Sequence, residues 1–182
     1  MAAGPLTAAR LTGVTLPDFG MPDAMPELAP ALYGERLERL RARADARGYD
    51  RLVVYADREH SANLAYLTGF DPRFEEALLV VSPTGDPAIL VGNECFGMAG
   101  AAPLRMRRHL FQDLSLPSQP RDRSVPLAAI LDEEGIGPGS RVGVIGWKTY
   151  GGREMMDAPA TSSTSCVVSR ARPDRSRTPP TC

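Results

Sequence analysis

Apolar residues in the first half of the chain recur at two spacings, which predict a helix followed by a strand. Four of them share one helical face: Tyr33, Leu37, Leu40 and Ala44. Arginine and glutamate fill most of the other positions, and Gly48 is well placed to end the helix in a left-handed conformation. Residues 52–56 (LVVYA) form a continuous apolar run, which favours a strand buried on both faces at the centre of a sheet.

Two further apolar segments predict a β-hairpin. Residues 77–82 (ALLVVS) and 88–91 (AILV) flank a turn made of proline, glycine, threonine and aspartate. A short helix before the hairpin is predicted to begin at Ser61, because serine is a favoured N-cap residue. The same helix is predicted to end at Gly69.

Four more patterns complete the predicted fold. They are a short helix from Asn93 or Glu94 to Gly100, a half-exposed edge strand at residues 104–109, a helix at residues 125–134 and a last buried strand at residues 141–145. The resulting order is helix–strand–helix–strand–strand–helix–strand–helix–strand. It predicts an α/β domain of three layers, α/β/α, with a mixed β-sheet.

Composition divides the chain into three parts. Residues 1–30 are rich in proline, which disfavours helix, and are expected to form either an extended arm laid over a surface or a flexible leader before the domain at residues 31–150. Residues 151–182 are dominated by Ser, Thr, Arg and Pro, and are predicted to be disordered because they bury too little apolar surface to offset the entropy of ordering. The change of character near Asp157 also suggests out-of-frame sequence, a hypothesis that an in-frame junction there would contradict.

Composition and charge narrow the classes of partner. The 182 residues are 43% hydrophobic with a net charge of -1, which gives no electrostatic reason to expect nucleic acid or an anionic membrane. A cytoplasmic protein is expected, since no apolar run has the length of a membrane helix and the N-terminus lacks a secretory pattern. The three widely spaced cysteines suggest neither a disulfide framework nor a zinc knuckle and are expected to be free thiols: Cys95, Cys166 and Cys182.

The ordered set of these motifs resembles a known family. Residues 33–70 (YGERLERLRARADARGYDRLVVYADREHSANLAYLTGF), the hairpin ALLVVSPTGDPAILV and the late strand RVGVIGWKTY are similar to the N-terminal domain of the creatinase, prolidase and aminopeptidase P family. The resemblance covers roughly residues 33–150. It implies a ribonuclease-H-like fold of the creatinase N-terminal domain type.

The chemistry that this resemblance implies belongs to another domain. In that family, Xaa-Pro peptides are hydrolysed in a C-terminal domain of the pita-bread type, where two aspartates, a histidine and two glutamates hold two divalent metal ions. Manganese, cobalt or zinc suits such a site. We expect that domain to be missing here, so we assign no catalytic residue, metal ligand or cofactor to this chain. The resemblance also implies that the parent protein joins both domains in one chain and forms a homo-oligomer.

The loop at residues 70–76 (FDPRFEE) is the candidate for substrate contact. In the family that the chain resembles, a loop of the N-terminal domain approaches a catalytic domain and helps define substrate length. Arg73 lies between Phe70 and Phe74, so its guanidinium is predicted to bind a substrate carboxylate while the rings line a pocket. The alternative is a turn with both phenylalanines in the core and Arg73 paired with a nearby glutamate.

Other polar residues allow chemical interpretations beside structural ones. His60 beside Glu59 is either an acid–base pair, a substrate contact or a surface residue at the start of a helix. Asp57, Glu59 and Glu75 invite comparison with the metal-binding carboxylates of ribonuclease-H nucleases, but their spacing does not support such a site. Cys95 is expected to be a small buried residue.

These patterns together predict a non-catalytic N-terminal domain of a Xaa-Pro aminopeptidase-like metallopeptidase, which contributes to subunit contacts and shapes the substrate cleft. Two alternatives stay open: a fragment of an active Xaa-Pro aminopeptidase or dipeptidase, and a binding module that pairs with a separate catalytic chain. Turnover of a Xaa-Pro peptide with Mn²⁺ by the chain alone would favour the first. Copurification with a catalytic chain would favour the second.

Overall fold

The computed structural model describes residues 12–21, 23–24, 27–146, 148–149 and 156–157. The helices are α1 (Pro30–Asp45), α2 (Ala62–Thr68), α3 (Asn93–Met98) and α4 (Leu127–Glu133). The strands are β1 (Arg51–Ala56), β2 (Ala77–Val81), β3 (Ala88–Val91), β4 (Arg107–Leu110), β5 (Val142–Ile145), β6 (Lys148–Thr149) and β7 (Met156–Asp157). The order of elements from α1 to β5 is the order predicted from the sequence.

The first five strands form one mixed sheet in the order β4-β3-β2-β1-β5. The predicted hairpin is confirmed, because β2 pairs antiparallel with both β3 and β1. The outer pairs, β1 with β5 and β3 with β4, are parallel. The central position predicted for β1 is also confirmed, since every residue from Leu52 to Ala56 is buried.

Helices cover both faces of this sheet, so the predicted three-layer α/β/α arrangement is confirmed. On one face, Val54 and Leu79 pack in a cluster with Leu37 of α1 and Leu64 of α2. On the opposite face, alternate strand residues pack with α4 in a second cluster, which includes Val53, Leu78, Leu90, Ile130 and Leu131. The apolar runs of β1, β2 and β3 therefore supply two cores at once.

The last strand of the sheet differs from its prediction. A buried strand was expected at residues 141–145, but β5 lies at the edge of the sheet and only Gly143 in it is buried. Among the described residues, no strand pairs with its outer side. The apolar residues of β5 pack against both cores, Ile145 against the first and Val142 against the second, while its outer edge pairs with no described strand.

Several helix and strand boundaries also differ from the predicted ones, for local reasons. Helix α1 begins at Pro30, three residues before Tyr33, because proline suits the first turn of a helix. Gly100 does not end α3, which continues into a 3₁₀ turn at Ala99–Ala101. Strand β4 starts at Arg107, later than predicted, because its pairing with β3 begins at Ala88 and Arg107.

Two glycines adopt the left-handed conformation that their positions required. Gly48 has a φ of 66° just after α1, and Gly69 has a φ of 73° at the end of α2. A Cβ on Gly69 would lie 2.7 Å from the ring of Pro103. Glycine at position 69 is therefore required both by conformation and by space.

The structure describes only part of the two ends of the chain for which predictions were made. Residues 12–21 form no helix or strand and are exposed. Cys166, Cys182 and residues 158–182 lie outside the described residues, as do residues 1–11. Within the described part of the chain, no helix has the length and apolar character needed to cross a membrane.

Candidate functional site

A cleft lies at the end of the sheet where β1 stops and β2 starts. Because Ala56 pairs with Ala77 in the antiparallel ladder, Asp57 and Glu76 lie beside each other just past the paired residues. The cleft has a volume of about 350 Å³ and is lined mostly by charged residues: Asp57, Arg58, Glu59, Phe74, Glu75 and Glu76. The loop at residues 70–76 forms one of its walls.

This loop is fixed from below by buried side chains. Phe70 is only 5% exposed and belongs to the core beneath α1 and α2. The Glu75 side chain is buried and its carboxylate accepts hydrogen bonds from the backbone N–H groups of Glu94, at 3.2 Å, and Cys95, at 2.9 Å. Glu75 thereby supplies hydrogen-bond acceptors for two N–H groups in the first turn of α3, which have no acceptor within the helix. The carboxylate therefore holds the loop against the start of that helix.

The outer part of the loop presents Arg73 and Phe74 to solvent. Arg73 has a φ of 61°, a conformation uncommon for a residue with a Cβ, and its N–H donates to Asp71 Oδ1 at 2.9 Å. Phe74 is 49% exposed, which excludes the alternative in which both phenylalanines lie in the core. In the described part of the chain, Arg73 makes no ion pair, so the glutamate pairing of that alternative is also absent. Phe70, the third residue of the predicted set, points into the core.

A tyrosine and two carboxylates interact beside the cleft. Burial raises the pKa of Tyr55 well above its usual value, and hydrogen bonding to Glu76 and Asp57 raises it further. Burial and the negative charge of Asp57 raise the pKa of Glu76, although the hydrogen bond with Tyr55 opposes this. The site thus combines a phenol that stays protonated with a carboxyl group that takes up a proton more readily than usual.

His60 is bound to Asp57 and not to its neighbour Glu59. The ring nitrogen Nδ1 lies 2.9 Å from Asp57 Oδ1, and the same oxygen accepts the backbone N–H groups of Glu59 and His60. Burial alone would raise the pKa of Asp57, but these hydrogen bonds outweigh it and the pKa is lowered. Asp57 thus binds the backbone just before α2, whereas Ser61 at the start of this helix makes no capping hydrogen bond.

The described residues do not fit the pair of divalent metal ions implied by the family resemblance. Both oxygens of Glu75 are bound to backbone N–H groups, and Asp57 accepts three donors. Among the described residues, no group of three or more His, Cys, Asp or Glu side chains could hold a metal ion. The cleft can therefore supply charge and hydrogen bonds, but not a complete set of metal ligands.

A second polar cluster has a structural role on the opposite side of the sheet. Glu134 follows α4, its side chain is 1% exposed, and it pairs with Arg107 and with His109 Nε2 at 2.7 Å. Burial would raise the pKa of Glu134, but the hydrogen bonds from Arg107 and His109 prevail and lower it. This ion-pair network joins α4 to the edge strand β4.

Sequence reasoning missed the roles of Tyr55 and Glu76. The available signal was a phenol near the end of an otherwise aliphatic strand, directly before the polar loop at Asp57. Cys95 was expected to be buried and is fully so. Burial, and then the neighbouring Glu75, raise the pKa of its thiol to about 12.

The chain matches one protein family by sequence. The family is described as creatinase/prolidase N-terminal domain, and the match covers residues 36–164. It therefore includes α1 from its second turn onward, the whole sheet and the loop at residues 70–76. No curated protein sequence matches the chain.

Several solved structures are similar to the chain. The dipeptidase PepE from Mycobacterium ulcerans is 19% identical over 62% of this chain and 28% of its own, with a TM-score of 0.44. The prolidase from Thermococcus sibiricus is 17% identical over the same shares of both chains, with a TM-score of 0.46. The creatinase/prolidase N-terminal domain of an X-Pro dipeptidase from Streptococcus pyogenes is 20% identical over 42% of this chain and 56% of its own, with a TM-score of 0.36.

Proposed function

The chain belongs to the creatinase/prolidase N-terminal domain family, and on that basis we propose that it is the non-catalytic N-terminal domain of a Xaa-Pro peptidase-like metallopeptidase. Its role is to shape the substrate cleft and to contribute to contacts between subunits. Hydrolysis then depends on a separate catalytic domain, which binds two divalent ions such as manganese, cobalt or zinc.

The family match over residues 36–164 is the observation that carries this proposal. The chain spans only 28% of the length of the Mycobacterium ulcerans dipeptidase, which leaves most of that protein for other domains. Three carboxylates beside the cleft are engaged within the chain, Asp57 and Glu75 with backbone N–H groups and Glu76 with Tyr55, which suits a scaffold.

The exposed part of the loop supplies the substrate contact in this proposal. Arg73 has a planar guanidinium that can bind the terminal carboxylate of a short peptide with two parallel hydrogen bonds. Phe74, half exposed beside it, offers an apolar wall for a proline ring. Buried Phe70 and Glu75 keep the loop in place, so little conformational entropy is lost on binding.

A chimeric enzyme tests the proposal. The segment of the Mycobacterium ulcerans dipeptidase that is similar to this chain is replaced by residues 27–146, and hydrolysis of a Xaa-Pro dipeptide is measured with Mn²⁺. Arg73→Ala is expected to raise KM about 10- to 150-fold with little change in kcat, because a hydrogen-bonded charge pair contributes about 1.5–3 kcal/mol. Arg73→Lys should recover only part of the substrate affinity lost in Arg73→Ala, since lysine cannot donate two parallel hydrogen bonds to the carboxylate.

Two controls separate this role from a structural one. Arg105→Ala removes an arginine that is 89% exposed and pairs with Asp86, away from the cleft, and should leave KM unchanged. For a substrate whose terminal carboxylate is replaced by an amide, the parent and Arg73→Ala enzymes should have the same KM. An unchanged kcat/KM for the free dipeptide in Arg73→Ala would contradict the proposed contact.

A further inference from the structure

A groove with an apolar floor runs between α1 and the edge strand β5. It consists of two adjoining cavities of about 270 and 200 Å³, which share Leu40, Arg43 and Ile145. Its floor is formed by aliphatic side chains that are otherwise part of the first core: Leu40, Ala44, Leu52, Leu67 and Ile145. Part of this apolar surface remains uncovered, because Leu40, Ala44 and Ile145 are only half-buried.

Arginines form the α1 rim of this groove. Arg36, Arg39 and Arg43 follow one another three or four positions apart, which places them along one side of α1, and Arg47 lies in the turn after this helix. Arg36 stacks on Tyr66, with 4.1 Å between its guanidinium carbon and the ring centroid. Among the described residues, Arg43 and Arg47 make no ion pair, and Arg39 has only Glu35 at 3.9 Å. The rim is therefore positively charged and largely unneutralised.

The other side of the groove is the outer edge of β5. In the described part of the chain, the five-stranded sheet ends at β5 (Val142–Ile145), with no strand paired to the outer side of β5. Such an edge presents backbone N–H and C=O groups that another extended segment can pair with. The groove therefore combines a strand edge, an apolar floor and a basic rim.

The N-terminal arm of the same chain has the complementary chemistry. Four large apolar side chains in it are 73–91% exposed: Val14, Leu16, Phe19 and Met21. Residues 11–29 contain no lysine or arginine, and their acidic residues are Asp18, Asp23 and Glu27. Val14 and Leu16 are two residues apart, so in an extended conformation their side chains point to the same side.

We propose that the groove binds the N-terminal arm of a second copy of this chain. Residues 13–16 pair with the four residues of β5, Val14 and Leu16 enter the groove, and Asp18 and Asp23 lie against Arg43 and Arg47. Pro17 then ends the pairing, since it has no N–H to donate.

Charge and exposure favour this occupant over the other segments of the chain. The chain after β5, residues 147–182, carries more arginine and lysine than aspartate and glutamate and would be repelled by the basic rim. The arm of the same copy leaves Phe19 91% exposed and does not cover the groove. The groove shares no residue with the loop at residues 70–76, so the proposal does not depend on the role of Arg73.

The oligomeric state of the full chain tests the proposal. Sedimentation equilibrium should show a concentration-dependent mass above that of a monomer, whereas a variant lacking residues 1–29 and the double variant Arg43→Glu/Arg47→Glu should both be monomeric. The matched control Arg105→Glu reverses one exposed charge outside the groove and should associate like the parent chain. A monomer at every concentration of the parent chain would overturn the proposal.

Mixing the two monomeric variants distinguishes arm exchange from any other interface. The arm-deleted variant keeps its groove and the rim variant keeps its arm, so together they should form a one-to-one complex. A labelled peptide of residues 11–28 should bind the arm-deleted variant at least about tenfold more tightly than an arm-deleted variant that also carries the rim substitutions. Asp18→Arg/Asp23→Arg added to the rim variant should restore association. Failure of the mixture to associate, or equal peptide affinity with and without the rim substitutions, would overturn the proposal.

Discussion

Replacing the buried carboxylate of Glu134 should measurably destabilise the fold. The Glu134 side chain is 1% exposed and accepts hydrogen bonds from Arg107 Nη1 at 2.6 Å and His109 Nε2 at 2.7 Å. Its backbone carbonyl also accepts Arg51 Nε at 2.9 Å. Glu134→Gln keeps the shape of the side chain but removes the negative charge from this network.

The expected magnitude follows from the exposure of each partner. Arg107 is 47% exposed, so its pairing counts as a surface ion pair of at most about 1 kcal/mol. His109 is only 16% exposed, and a hydrogen bond from it to a buried carboxylate contributes about 1.5–3 kcal/mol. Allowing for overlap between the two, Glu134→Gln should lower the free energy of unfolding by about 2–3 kcal/mol.

Urea unfolding at pH 7, followed by circular dichroism, measures this difference. Glu133→Gln is the matched control, because Glu133 is the exposed neighbour of Glu134 and should change stability by less than about 0.5 kcal/mol. The pKa of Glu134 is lowered in the folded chain, so its contribution is present above the ordinary value of 4.5 and lost as pH falls through the lowered pKa. The gap between parent and Glu134→Gln should therefore narrow below pH 4.5. Equal stability of the two glutamine variants at pH 7 would refute this reasoning.

Two further predictions test the local structure. Gly69→Ala should lower the free energy of unfolding by about 2 kcal/mol or more, because φ is 73° and the new Cβ would meet Pro103. Gly34→Ala, in open space within α1, should raise it by about 0.5–1 kcal/mol in the same urea assay. Equal effects of the two substitutions would contradict the structural difference between these glycines. In a Cys166→Ser/Cys182→Ser variant, the buried Cys95, with its pKa of about 12, should react with a disulfide reagent at pH 8 at least about 100-fold more slowly when folded than in urea. Rapid labelling of the folded chain would contradict its burial.

The order of elements was predictable because each one has a local signature. The continuous apolar runs of β1 and β2 identify strands covered on both faces, and Gly48 and Gly69 mark the ends of two helices. Position within the sheet has no such signature. The edge position of β5 depends on how many strands pair with it. The four residues of β5 by themselves do not indicate which strands those are.

The candidate site was predictable only in part, for a similar reason. Arg73 and Phe74 were correctly placed in a loop, but the inward direction of Phe70 depends on the packing of α2. The hydrogen bonds of Tyr55 with Asp57 and Glu76 arise because the end of β1 lies beside the start of β2. The Glu134 network likewise joins residues 25 and 27 positions apart in sequence, which only the fold brings together.

In the function proposed above, this chain is an N-terminal domain that hydrolyses no peptide without a separate catalytic domain. The most direct measurement is hydrolysis of a Xaa-Pro dipeptide by the purified full chain with Mn²⁺, alone and with the Mycobacterium ulcerans dipeptidase lacking its similar segment. We expect no metal-dependent turnover by the chain alone, and turnover that rises with chain concentration when the second protein is present. Metal-dependent turnover by the chain alone, abolished by a chelator, would contradict it.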